Sequence, residues 1–201
     1  MFTSVSRSVI NMLYNMQLLK FIGTDGVVAY GVIMYISFIF NGIYMEYSVG
    51  TTPIVGYHYG AGNKDELKSL LKKSFIFILT AALVLTGLAE LLAGTLAKTF
   101  VSYNPELLNL TTRAIRIFAL SYIISGFNIF TSAFFTGLGN GIVSGIISFF
   151  RTFVFHIIMI YLLPSILGVD GIWLAVIFAE VLALCVSFTY ILKNRIKYGY
   201  I

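Results

Sequence analysis

Charge is what this sequence has least of. Lys, Arg, Asp and Glu make up 10% of its 201 residues, 59% are hydrophobic, and the mean hydropathy is +0.94. A soluble domain carries about 25% charged residues, so the chain lacks the polar surface that a water-exposed globule needs. Catalytic signatures are missing too: there is no HExxH, no CxxC, no Gly-x-x-x-x-Gly-Lys-Ser/Thr phosphate loop and no Gly-x-Ser-x-Gly elbow. The two histidines stand apart, His58 at a predicted helix end and His156 alone in an apolar segment. A metal enzyme or intramembrane protease needs clustered ligands, or a nucleophile with its base. The expectation is therefore no enzyme, no catalytic residue, no metal site and no cofactor. The single cysteine, Cys185, excludes an internal disulfide and reads as a small buried hydrophobe. The first residues do not form a secretory signal, because no basic stretch precedes a short apolar one.

What is present is apolar sequence in long blocks. From Ile117 to Phe150 there is no Asp, Glu, Lys or Arg, a run of about 34 residues. One helix of that length would reach ~51 Å against a hydrocarbon core of ~30 Å. The run must hold two spans, and Gly137-Leu138-Gly139-Asn140-Gly141 is the turn between them. The same reading along the chain gives an all-α, integral-membrane bundle of six transmembrane helices in a single domain, at about 2–22, 27–57, 74–94, 112–136, 142–163 and 171–192. The first span is the most polar, and the second is long enough to tilt or to bend near Gly50 and Pro53. The net charge of +5 and pI near 9.3 do not call for nucleic acid, because the basic residues sit between or beside the apolar blocks. Arg7, Lys64, Lys68, Lys72, Lys73, Lys193, Arg195 and Lys197 fall on one side of a six-span arrangement; Lys20, Lys98, Arg113 and Arg116 fall on the other. The positive-inside rule then places both termini in the cytoplasm of a multi-pass protein whose solvent is the lipid bilayer.

Three charges fall at membrane depth. Glu46, Arg151 and Glu180 lie ~14–16 Å from the nearest predicted helix end, where an ionised side chain costs about 2.5–3.5 kcal/mol or more. Each must face the bundle interior or find a partner, so Arg151 is expected to pair with Glu180 or Glu46, either as a helix clamp or with a role in gating or cation coupling. Glu90, nearer an interface, is expected to snorkel. Polar stripes run along Ser4, Ser8, Asn11 and Asn15 on the first span and along Ser121, Ser125, Asn128 and Ser132 on the fourth. Tyr14 and Gln17 widen the first stripe beyond what packing needs, which argues for cavity lining; the fourth-span stripe reads as helix packing. Gly137, Gly141 and Gly145 recur every four residues and suit close packing around the hairpin. The second span carries Tyr30, Met34, Tyr35, Phe38 and Tyr44, a surface suited to flat cationic ligands through stacking, cation–π and thioether contacts. Asn11, Tyr14, Asn15, Tyr30, Met34 and Asn41 are the candidate substrate-binding residues.

The most specific stretch is Pro53-Ile54-Val55-Gly56-Tyr57-His58-Tyr59-Gly60-Ala61-Gly62-Asn63. It resembles the Pro-Ile-x-Gly-Tyr-x-Tyr-Gly-Ala-x-Asn signature of the multidrug and toxic compound extrusion (MATE) family. Phe134-Phe135-Thr136-Gly137-Leu138-Gly139-Asn140-Gly141, with Arg151-Thr152, is similar to that family's tenth and eleventh helices. Gly168-Val169-Asp170-Gly171-Ile172-Trp173-Leu174-Ala175, with Ala179-Glu180, is similar to the start of its twelfth. The resemblance implies the C-terminal six-helix lobe of a two-lobed antiporter that exchanges H⁺ or Na⁺ for organic, often cationic, drugs by alternating access. It further implies a partner for this lobe, either an N-terminal lobe of the same transporter or a second copy.

Two departures from the family pattern bear on coupling. Some members bind their cation with carboxylates on helices seven and ten, but the corresponding spans here hold no Asp or Glu, and Ser125 stands about where the helix-ten acid would be. Others use an Asp in the N-terminal lobe. No complete coupling site is expected in this chain, whose first span begins abruptly at Met1. Two further readings stay open: a lipid-linked oligosaccharide flippase, for which Arg7 and Arg151 are the candidate pyrophosphate ligands, and a non-transporting membrane scaffold or remnant.

Overall fold

The computed structural model describes residues 2–200, with side chains described from Val5 onward; Ser4, the first member of the first-span stripe, has its side chain outside the described residues. The elements are helical in order: α1 (Phe2–Phe21), α2 (Thr24–Gly60), α3 (Lys64–Val101), α4 (Pro105–Ala119), α5 (Tyr122–Gly137), α6 (Gly141–Phe149), a π turn (Phe150–Val154), α7 (Phe155–Leu167) and α8 (Val169–Tyr198). Four stretches are long and apolar enough to cross a membrane: α2, α3, the run from α6 to α7, and α8. The α4–α5 pair makes a fifth span, bent by 45°. The polar residues of α1 keep it below the same apolarity.

Helices run past the apolar blocks because their ends are capped by polar sequence. Asn63 accepts from the Glu66 amide at 3.2 Å to open α3, Asn104 accepts from Glu106 and Leu107 to open α4, and Asn140 accepts from Val143 to open α6. Asp65 and Glu66 in the first turn of α3 favour the positive end of its dipole. α2 continues through Gly50 and Pro53 as one helix. Pro53 removes a backbone donor, and the hydroxyls of Thr51 and Thr52 bond back to the carbonyls of Tyr47 and Ser48.

The expected fourth span is not one straight helix. It breaks at Leu120–Ser121, where the ladder tightens to three-residue hydrogen bonds. The Ile123 amide bonds Leu120, so the Ala119 carbonyl is left to the Thr86 hydroxyl at 3.4 Å. The Tyr44 hydroxyl donates to the Tyr122 carbonyl at 3.0 Å, and a side chain at Gly126 would collide with the Tyr44 ring at 2.9 Å. The break is held by its neighbours, which no single segment encodes.

Two close helix approaches set the rest. Gly137 on α5 faces the Thr52 carbonyl of α2, where an added methyl would meet it at 2.7 Å, and Gly56 faces the Gly137 carbonyl. Gly141 and Gly145 have open space around them, so the four-residue glycine spacing serves packing only at Gly137. α7 and α8 form a hairpin through Gly168 (φ 60°), with Gly171 set directly against the Leu163 carbonyl. At one end of the bundle Tyr198 joins Asn140 and Tyr59; at the other, Arg113 pairs with Asp170 at 2.7 Å. The lysine-rich α2–α3 connection and the basic tail therefore share one end. Glu90, half-buried, lies 3.9 Å from the exposed Arg116. Cys185 is exposed on the outer face of α8 rather than buried; an apolar residue facing lipid has the same sequence signature as one facing a core.

A candidate substrate cavity beside a buried ion pair

The break in the α4–α5 span and the π turn both face one cavity of about 480 Å³. α1 contributes Arg7, Ile10, Asn11 and Tyr14; α2 contributes Tyr30, Met34, Ser37, Phe38, Asn41, Met45 and Glu46. Phe118, Ser121, Ser125 and Ile129 come from the broken span, Arg151, Thr152 and His156 from the π turn and α7, and Val176 and Glu180 from α8. The Tyr14 and Tyr30 rings stack with centroids 5.2 Å apart and planes 7° from parallel, and the Tyr30 hydroxyl donates to Asn11 Oδ1 at 3.0 Å. Phe38, Met45 and Glu46 are exposed at the rim. The Tyr14 hydroxyl, Asn41 Oδ1 and Ser125 Oγ have no hydrogen-bond partner among the described residues.

Of the six candidate binding residues, five line this cavity and Asn15 does not. It lies one turn closer to the α1–α2 connection. Gln17 lines a second, smaller hollow with Lys20 and Tyr161. The fourth-span stripe divides at mid-helix. Ser121 and Ser125 face the cavity, whereas Ser132 packs on α6 through the Ser144 and Ser148 hydroxyls at 3.0 and 2.7 Å. On α2, Tyr35 points outward and stacks on Phe100, and Tyr44 serves the helix break.

Arg151 pairs with Glu180 and not with Glu46. Its Nη2 lies 2.7 Å from Glu180 Oε1, and its Nε donates to Oε2 at 3.0 Å, a two-point contact. Asn128 donates to the same Oε2 at 2.8 Å and to the Glu180 carbonyl at 3.0 Å, while Ser187 donates to Asn128 Oδ1. Side-chain exposure is 17% for Arg151 and 4% for Glu180. Glu46, on α2, lines the same cavity as this pair and has no ion pair of its own among the described residues.

The π turn explains how Arg151 is aimed. His156 donates from Nδ1 to the Arg151 carbonyl at 2.7 Å, and its ring meets Tyr14 edge-on at 6.4 Å. Residues five apart point about 140° away from each other on a regular α-helix. The five-residue hydrogen bonds of a π turn bring them together, and such turns recur at functional sites. A helical projection of the sequence therefore leaves His156 isolated, although it backs the central charge.

With this geometry set out, the comparisons with known proteins decide the family. The MatE family model matches residues 1–162. The chain belongs to the MATE family of transporters. Among solved structures, a multidrug resistance MATE family transporter of the MOP superfamily matches in its inward-facing conformation with TM-score 0.89 and 22% identity, covering 98% of this chain and 45% of that one. Its outward-facing conformation gives TM-score 0.88 at 22% identity, covering 98% and 44%. A MOP superfamily transporter from Pyrococcus furiosus, described as having a binding pocket of reverse polarity, gives TM-score 0.88 at 22% identity with the same coverage. No curated protein matches. The chain thus has the fold of a MATE lobe and spans less than half the length of these structures. Arg151 lies inside the family match, and Glu180 lies beyond it, on α8.

Proposed function

We propose that this MATE lobe forms half of a drug-binding chamber in an exporter that exchanges H⁺ or Na⁺ for organic, often cationic, compounds by alternating access. The observation that carries this reading is the wall of the cavity: a stacked tyrosine pair, Met34, Met45 and Phe38 next to an unpaired carboxylate, Glu46. Aromatic faces and thioethers accept varied flat ligands, and Glu46 supplies the countercharge. In this reading Asn11, Tyr14, Tyr30, Met34 and Asn41 contact substrate. An N-terminal lobe, or a second copy of this one, closes the chamber from the facing side. The basic end lies in the cytoplasm and the protein sits in the plasma membrane.

A flippase for a lipid-linked pyrophosphate is supported less well. Arg151 is already matched by Glu180, which leaves Arg7 as the cavity-lining cation without a carboxylate partner among the described residues. The test is efflux of a cationic dye from cells expressing the chain with and without an N-terminal MATE lobe. Efflux that needs both lobes and weakens with Glu46→Gln supports the proposal. Full efflux by the chain alone, or indifference to Glu46→Gln, refutes it.

A further inference from the structure

Glu180 is the one charged side chain among the described residues that is buried. A carboxylate at that depth needs a countercharge. Here the countercharge is carried on the chain itself, by Arg151, and cannot leave the protein. We propose that Arg151 is a tethered cation, its guanidinium holding at Glu180 the place that a free proton or alkali ion would otherwise take. The idea rests on the transport reading of the cavity.

Both Glu180 oxygens are engaged, Oε1 by Nη2 and Oε2 by Nε, and Asn128 adds a third donor. The surroundings would also suit a small hard cation, which prefers neutral and anionic oxygens. Ser125, 3% exposed, and Tyr14, 2% exposed, line the same cavity with hydroxyls that have no partner among the described residues. Arg151 is not there by accident of rotamer. The π turn lifts it out of the α-helical register, and the bond from His156 to its carbonyl fixes the turn. The titratable and charged groups that interact with Glu180 are Arg151 on the π turn, His156 on α7 and Tyr14 on α1, and Tyr30, Arg7 and Glu46 line the same cavity. The cavity faces of α4 and α5 bring no charge. Because a guanidinium does not deprotonate, Glu180 stays occupied at any working pH and any sodium concentration. This lobe should then bind an organic cation without exchanging a small one at Glu180.

The experiment uses the purified full chain in lipid nanodiscs, with tetraphenylphosphonium as probe. Trp173, the sole tryptophan, lies two turns before Glu180 on α8 and provides the fluorescence signal. In the wild type, probe affinity and Trp173 emission should be unchanged by replacing potassium with sodium or by moving pH across neutrality, and probe binding should release no proton. Arg151→Ala frees Glu180. Its probe affinity should then shift at least about fivefold with sodium or pH, the lower end of ordinary ligand coupling. Arg151→Lys, and the neutral pair Arg151→Met with Glu180→Gln, should stay insensitive. An Arg151→Ala protein indifferent to both ions overturns the proposal, as does a wild type that releases a proton or responds to sodium. The wild-type arm decides the matter even if Arg151→Ala does not fold. Absence of probe binding in every form refutes the chamber reading instead, and the Trp173 response to sodium then still decides the role of Arg151.

Discussion

Removing the Arg151 side chain would leave a carboxylate with 4% exposure facing a single remaining side-chain donor, Asn128 Nδ2 at 2.8 Å. Breaking a buried ion pair from one side costs about 3–5 kcal/mol, most of it the stranded charge rather than the lost attraction. The surviving Asn128 bond places Arg151→Met at the lower end, about 3 kcal/mol. Glu180→Gln strands the guanidinium, which at 17% exposure is partly reached by the cavity, so its loss should be smaller, about 2 kcal/mol. The double variant Arg151→Met with Glu180→Gln strands nothing and should lie within about 1 kcal/mol of the wild type. The double-mutant cycle therefore closes with a coupling of several kcal/mol. The measurement is reversible unfolding in mixed micelles, followed by Trp173 emission. Additivity of the two single changes within about 0.5 kcal/mol would show that the pair is not coupled, and the account of the bundle centre given above would be wrong.

Other substitutions separate structural residues from cavity residues. Gly137→Ala should destabilise the fold by about 1–3 kcal/mol, because the new methyl meets the Thr52 carbonyl of α2, while Gly145→Ala, in open space, should be neutral or stabilising in the same assay. Asn128→Ala removes a donor from Glu180 and the acceptor of Ser187, and should lower stability by about 1–3 kcal/mol. Glu46→Gln should leave unfolding within about 0.5 kcal/mol of the wild type and weaken binding of a cationic dye, measured by fluorescence titration. His156→Phe keeps the ring volume but withdraws the bond to the Arg151 carbonyl; a loss near 1 kcal/mol, with unchanged helix content by circular dichroism, is expected.

Membrane class, the all-helical fold and the family were legible in the sequence because each rests on local quantities. Apolar length against bilayer thickness needs no tertiary information, and neither does a contiguous motif such as Pro53 to Asn63. The three charges within the apolar runs were legible for the same reason, since position along a predicted helix gives an expected depth. Their pairing was not: Glu46 and Glu180 were equal partners for Arg151 until the packing of α8 placed Glu180 beside it. Asn15 shares a helical stripe with Asn11 yet does not line the cavity, a difference that periodicity alone does not show. Ser121 and Ser125 read as packing residues but face the cavity, because the α4–α5 break turns them toward it.

By itself the sequence determined the solvent this protein folds in, the number of apolar blocks to within the polar first helix, and which end of the bundle is basic. Tertiary structure alone decided the break at Leu120–Ser121, the π turn at Arg151 and the choice of Glu180. The first two depart from regular helix geometry and the third is a contact between helices, so all three depend on groups elsewhere in the fold: Thr86 and Tyr44 at the break, Glu180 at the π turn, Asn128 at the ion pair. A periodicity argument assumes the regular helix, so it cannot show where neighbours make an irregular one favourable.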